Sequence, residues 1–436
     1  MMRGYLMIQK KYDVRAIGRS SSPIARMVCL ALAGWLCGIT PHASVAQQRL
    51  DDFLSIARQQ SPLLKDYNNQ LIAAQLDSLL IRAAHRPQVS ANGMLMYAPV
   101  IHGYGYDQAI TNGGQYMAVA SVSQPIFTRK ILAPQYEQLQ LQQQLIRNQH
   151  SISTYDLDKS VSLQYLNAYA DWLLLTHNQE ILTLLNQQQA LVQRLVQQGV
   201  YQYADYLNVT VALQNQQITV DQLQSQYDHD LALLRYLCGI HDTSMVQLEE
   251  PDITLHTQQP QPSVFLQTYT IDSLMIANQK QIVATHYLPT VNWFADAGWN
   301  SSQLSTIYKT VGTSFGISLS IPIYDGHQRK LQNEKLQIQE ETRAQYASFF
   351  RNQYAQQLSD LYQQLRETTQ RIFSIQQKLA TTEELIEIDK KLLQTGNVRI
   401  TDYILAVQQH LQVQNSLDQA RIQRWQILVQ LNYWLH

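Results

Sequence analysis

The chain has 436 residues, 45% hydrophobic and only 15% charged, with few Gly and Pro for its length, a balance that suits long helices better than a mixed globular domain. A formal net charge of −1, with no Lys/Arg run beyond residue 46, excludes nucleic acid as a partner. There is no His-Glu-x-x-His, Gly-x-Ser-x-Gly or P-loop and the histidines are scattered, so no enzyme activity, cofactor or metal site is expected.

Arg3, Lys10, Lys11, Arg15, Arg19 and Arg26 precede an apolar run from Met27 to Ile39, and Ser44-Val45-Ala46 follows. This reads as a secretory signal cleaved after Ala46. Cys37 follows Trp35-Leu36 rather than small residues, which speaks against a lipoprotein signal and for export without lipidation. Of three cysteines only Cys238 survives that cleavage, so the mature chain has no intrachain disulfide. Cys238, beside Leu237 at the end of a helical run, reads as a small buried hydrophobe.

Residues 50 to 84 carry apolar positions at helical spacing and are broken at Ser61-Pro62, which predicts two helices. After Pro87 the period becomes two, with Val89, Ala91, Gly93, Leu95 and Tyr97 alternating with Ser90, Asn92, Met94 and Met96. A Gly-rich loop over 98–115 leads to a return strand from Tyr116 to Gln124. From Thr128 to Val196 leucines and tyrosines recur every three or four residues without a glycine, predicting one helix of about 100 Å. A second helix, Tyr206 to Leu237, comes back from a turn at Gly199, and Pro251, Pro260 and Pro262 mark a linker. The plan then repeats: a helix from Ser263 to His286, a strand with Val291, Trp293, Ala295, Ala297 and Trp299 on one face, and a strand from Val311 to Ile321. A helix from Gln328 to Leu393 and another from Tyr403 to the C-terminus meet at a turn at Gly396.

The repetition is literal. Gln197-Gln198-Gly199-x5-Asp205-Tyr206 returns as Gln394-Thr395-Gly396-x5-Asp402-Tyr403; 396 − 199 and 402 − 205 both equal 197, as does 322 − 125 for two prolines. Matches on one ungapped diagonal over more than a hundred residues indicate a duplicated unit. The organisation expected is a signal and lead at 1–46, a first repeat at 47–238, a linker at 239–262 and a second repeat at 263–436.

Four strands cannot close a barrel, and strand edges cannot stay unpaired in lipid, so several identical chains are expected to share one barrel. In the last strand Phe315, Ile317 and Leu319 suit lipid, while Gly312, Ser314, Gly316 and Ser318 suit water. The alternative is a periplasmic coiled-coil scaffold whose strand hairpins pack on a partner, with no pore.

Taken together, the signal, the doubled order of helix, Pro-started strand hairpin ending in Gln-Pro-Ile-Phe or Ile-Pro-Ile-Tyr, long helix, Gly-x5-Asp-Tyr turn and returning helix resembles the TolC-like outer-membrane efflux channel family over nearly all of residues 47–436. The resemblance implies antiparallel coiled-coil hairpins forming an α-barrel and four strands per chain entering the twelve-stranded β-barrel of a homotrimer. It also implies a passive exit duct of a tripartite efflux or type I secretion system, reached from an inner-membrane pump through a periplasmic adaptor. On this reading the protein sits in outer-membrane lipid and extends into the periplasm. The turns carrying Gly199, Asp205, Gly396 and Asp402 become the adaptor-contact tips. Asp402 matches the first acid of the family's gate; the next matching position is Leu405, a departure that makes the gate part acidic and part hydrophobic. Arg399 is placed either to latch onto an acid of a neighbouring hairpin or, the more common outcome, to stand free at the surface, and Tyr97, Trp293 and Trp299 are candidates for the aromatic girdle.

Overall fold

The computed structural model describes residues 47–436 apart from 108–110, 112, 127, 242–245, 257–262 and 396. The expected signal, Gly396 and the linker prolines Pro260 and Pro262 lie outside the described residues. The chain divides into two units, and the larger, Gln48–Ser244 with Leu248–His436, holds the elements that follow.

Helix α1 (Leu50–Gln60) and helix α2 (Pro62–Ala84) meet at Ser61. The Ser61 N–H donates to the Ala57 carbonyl at 2.9 Å, while its Oγ accepts from the Leu64 N–H at 3.4 Å and Pro62 fills the first helical position. One residue thus caps both helices, because proline has no N–H to lose at a helix start. Strands β1 (Gln88–Tyr97) and β2 (Gly114–Ile126) form the first hairpin. Helix α3 (Arg129–Gln197) and helix α4 (Tyr203–Cys238) then pack antiparallel. Helix α5 (Val264–Thr285), strands β3 (Thr290–Ser301) and β4 (Val311–Ser320), and helices α6 (Gln328–Gln394) and α7 (Ile400–Trp434) repeat the order.

Helix ends obey the sequence diagonal: α3 and α6 end at 197 and 394, α4 and α7 begin at 203 and 400, and each difference is 197. Both returning helices begin three residues before the expected tyrosine, so Asp205 and Asp402 fall inside the first turn. The return strand of the first hairpin also exceeds its expected span at both ends, and Pro125 stays within it, in register with Asn292.

The two hairpins join into one antiparallel sheet of order β1-β2-β3-β4, leaving β1 and β4 as its edges. The main core lies where α1, α3, α4 and α7 meet, around Phe53, Tyr165, Leu166, Leu234, Cys238 and Leu428. Burial of each large apolar side chain there contributes about 1.5–3 kcal/mol. Tyr165, fully buried, keeps its hydroxyl bonded by donating toward the carbonyls of Glu249 (2.6 Å) and Gln48 (3.2 Å), which ties the start of the first repeat and the linker to the middle of α3. Burial pushes the Tyr165 phenol well above its usual range. Two buried amides bridge the repeats: Asn148 Nδ2 donates to Val264 O at 2.9 Å, and Asn278 Nδ2 to Pro134 O at 2.8 Å. Cys238 is buried as expected, its thiol pushed up to about 11 by burial.

Candidate functional site

The register of the sheet decides what each face presents. Residues paired across antiparallel strands point the same way, so Val291, Trp293, Ala295 and Trp299 share a face with Leu319, Ile317, Phe315 and Val311. Through β2 the same face takes in Val122, Ala120 and Ala118, and through β1 it takes in Val89, Ala91 and Leu95. The opposite face is mostly polar, with Ser90, Asn92, Ser121, Asn292, Asp296, Ser314 and Ser318, and also holds Met94, Met117, Val119 and Phe294. Phe315, Ile317 and Leu319 are uncovered on the apolar side, Phe315 at 91% exposure. The three expected girdle residues divide between the two ends of the sheet. Tyr97 and Trp299 lie near the loops, whereas Trp293 lies six residues away toward the helices, with its Nε1–H donating to Gln124 Oε1 at 3.3 Å. Six strand residues span about 20 Å, so two levels are marked rather than one.

At the far end of the long helices the two turns share one backbone bond. Gly199 adopts φ = +76°, and the Val200 N–H donates to Leu195 O at 2.9 Å while the Gly199 N–H donates to Val196 O at 3.0 Å. This is the paired-bond stop that a left-handed residue allows. One repeat on, the Asn397 N–H makes the matching bond to Leu392 O at 2.9 Å. Asp205 then caps α4, accepting the Gln202 N–H at 3.0 Å. Asp402 behaves differently. Arg399 grips Asp402 of its own turn with Nε–Oδ2 at 3.1 Å and a second bond at 3.3 Å, neither of the two arrangements the sequence offered for it within this chain. The spacing of three across a helix start sets the two side chains within reach, and both are solvent-exposed.

The turns lie side by side. Val192, Val209, Leu393, Ile400, Tyr403 and Val407 form a second core between them, and the Tyr201 hydroxyl donates to Val398 O at 2.6 Å. Tyr403 is fully buried, its phenol pushed up to about 12 chiefly by burial. Outside this core Val200, Tyr203, Leu207 and Leu405 expose apolar surface. The repeated motif points to Gly199 and Asp205 and gives no role to Val200, Tyr201, Tyr203 or Leu207. Their one signal is a tyrosine- and valine-containing run around a glycine turn, ordinary for a helix hairpin until both tips are seen together.

Against known proteins, residues 277–435 match the family model described as outer membrane efflux protein. Over those residues the chain is similar to outer membrane efflux proteins. Its fold matches solved outer-membrane channels along most of its length. CusC, in a study of the conformational changes accompanying folding and transmembrane channel formation, is 14% identical with a TM-score of 0.70 over 90% of this chain and 92% of that one. The outer membrane protein VceC from Vibrio cholerae is 15% identical, with a TM-score of 0.70 over 88% and 95%. The open state of the Neisseria gonorrhoeae MtrE outer membrane channel is 12% identical, with a TM-score of 0.68 over 89% and 88%. No curated relative matches the chain.

Elsewhere in the chain the titratable groups that depart from ordinary behaviour include two pairs between helices. His177 on α3 lies 2.9 Å from the buried Asp418 on α7, and the bond to Asp418 holds its imidazolium above the usual range. Asp171 on α3 is pushed up to about 7 by burial and by the neighbouring Asp230 of α4. Among the described residues no group of three His, Cys, Asp or Glu could hold a metal ion. No described helix of the chain is long and apolar enough to cross a membrane.

Proposed function

We propose that this protein is the passive exit duct of a tripartite efflux or type I secretion system, a homotrimer whose sheets close one β-barrel in the outer membrane and whose helices continue it into the periplasm. The observation that carries the reading is the four-strand register: one largely apolar exposed face with aromatic residues at two levels, a mostly polar face behind it, and two edge strands with nothing to pair with in a single chain. Backbone edges are not tolerated in hydrocarbon, and pairing β4 of one chain with β1 of the next removes them all. Two sets of exposed apolar side chains support the ring: Ile72, Leu76 and Leu79 on α2, and Leu331, Ile338 and Phe349 on α6. These helices adjoin the two edge strands, so the same step that pairs β4 with β1 brings one set against the other, a heterologous contact that closes as a ring.

Residues 47–238 and 263–436 are the two repeats of this machine, joined by the linker 239–262. The Gly199 and Gly396 turns are its adaptor-contact tips, with Val200, Tyr203 and Leu207 adding apolar surface beside Asp205. Asp402, Arg399 and Leu405 stand at the gate, and the homologous channels support transport rather than turnover as its task. The deciding measurement is the native mass of the mature protein extracted in mild detergent from purified outer membranes. A trimer is expected; a soluble periplasmic monomer would return the protein to a coiled-coil scaffold. Phe315→Asp should abolish assembly into the membrane, and a variant that still inserts and functions would overturn the lipid-facing assignment of Phe315, Ile317 and Leu319.

A further inference from the structure

Midway along the strands, Ser90, Ser121, Asp296 and Ser314 are register partners in succession from β1 to β4. The row crosses the whole sheet on the face opposite to Phe315. Among the residues of the four strands Asp296 is the single Asp, Glu, Lys or Arg. Its Oδ2 accepts a bond from Ser314 Oγ at 3.2 Å. Neighbouring rows are different in kind: Gly298 faces Gly312 on one side, and Phe294 packs over Gly316 on the other. Aspartate is disfavoured in strands, and on a central one nothing in the sheet requires it.

We infer that Asp296 and its serine row form a cation filter in the barrel, a specificity-determining ring separate from the tips. This rests on the trimeric barrel reading, in which three-fold symmetry sets the Asp296 of the three chains at one level, a ring of three carboxylates each flanked by the serine hydroxyls of its own chain. Carboxylate and hydroxyl oxygens are hard donors suited to alkali and alkaline-earth cations, and rings of acidic side chains are a recognised means of selecting cations in pores. The apolar opposite face adds a low-dielectric wall that focuses the field inward. On the side away from Phe294, Gly298 and Gly312 put no side chain of β3 or β4 beside the carboxylate. About 100 Å of helix separates it from Asp402, far beyond a Debye length, so the two act independently.

The test is the cation-to-anion permeability ratio of the purified full-length channel in planar bilayers under a KCl gradient. Three unit charges acting at roughly 10 Å through water, with and without salt screening, attract the cation and repel the anion alike and predict that Asp296→Asn lowers the ratio about five- to seventyfold, more at low salt. Asp296→Glu should restore it, which a merely structural role would not do. Should Asp296→Asn fail to assemble, Asp296→Ser extends the hydroxyl row without the charge and is read in the same way. A conducting Asp296→Asn or Asp296→Ser trimer with the wild-type ratio overturns the filter while leaving the barrel standing. Wild-type protein that inserts no pore overturns the barrel and the filter together.

Discussion

Replacing His177 by Phe tests how the two helical hairpins are held to each other. In the wild-type chain His177 Nε2 stands 2.9 Å from Asp418 Oδ2, with the side chains 20% and 7% exposed. Glu180 approaches the other ring nitrogen at 3.6 Å, and Gln414 Nε2 donates to the Asp418 oxygens at 3.3 and 3.5 Å. Breaking a fully buried pair by removing one partner costs about 3–5 kcal/mol, because a charge is left behind without its counterpart. The partial exposure of the ring and the bonds from Gln414 reduce this to roughly 2–3 kcal/mol. The pH dependence has a definite sign. The folded-state pKa of His177 is raised, first by its bond to Asp418, so the stabilisation is fully present below the unfolded value of about 6.5 and is lost as pH rises through the folded value. Urea unfolding followed by circular dichroism in detergent should therefore show the largest gap between wild type and His177→Phe at about pH 6, narrowing toward alkaline pH. Equal midpoints at about pH 6, or a gap that widens with pH, would refute the argument.

Three other perturbations address other parts of the molecule. A Cβ at Gly298 would fall on the Ala118 carbonyl and within 2.6 Å of Val119 Cα, so Gly298→Val should prevent β2 from pairing with β3 and remove the protein from the membrane fraction; normal trimer yield would contradict the register. Tyr201→Phe removes the 2.6 Å bond to Val398 O, a loss of about 1 kcal/mol that limited proteolysis should register as faster cleavage at the turns with the native mass unchanged. Asp402→Asn should lower cation selectivity or raise leak, and no change in either, nor in drug susceptibility, would leave Asp402 as a first-turn acid paired with Arg399.

The architecture is legible in the sequence because its signals are long. A helical period sustained for some seventy residues and a period of two bounded by prolines leave little choice of element, and the repeated Gly-x5-Asp-Tyr marks both turns. Reading the tyrosine as the boundary sets both helix starts three residues late, whereas the first-turn aspartate fixes them earlier through the Gln202 N–H in one repeat and the Arg399 side chain in the other. The partner of Arg399 is hidden for the same reason: once α7 begins at Ile400, the nearest carboxylate is on its own turn. Pairing of β2 with β3, the Tyr201–Val398 contact and the Ser90–Ser121–Asp296–Ser314 row depend on which residues meet across more than a hundred positions, and periodicity within one segment carries no such information.

The gapless offset also has a consequence for how such a chain can change length. From β1 to β2 the starts are 114 − 88 = 26 residues apart, but from β3 to β4 only 311 − 290 = 21, so five residues have been gained or lost around the loops that join the strands. From β2 to the tip not one has. A single residue added to α3 and not to α6 would advance one turn by about 1.5 Å and rotate everything beyond it by roughly 100°. Tyr201 would then face away from Val398, and Val192 would leave the core it shares with Leu393. The helices act as a matched pair of rulers: insertions can be absorbed at the strand loops, while the distance from sheet to tip changes in both repeats at once or not at all.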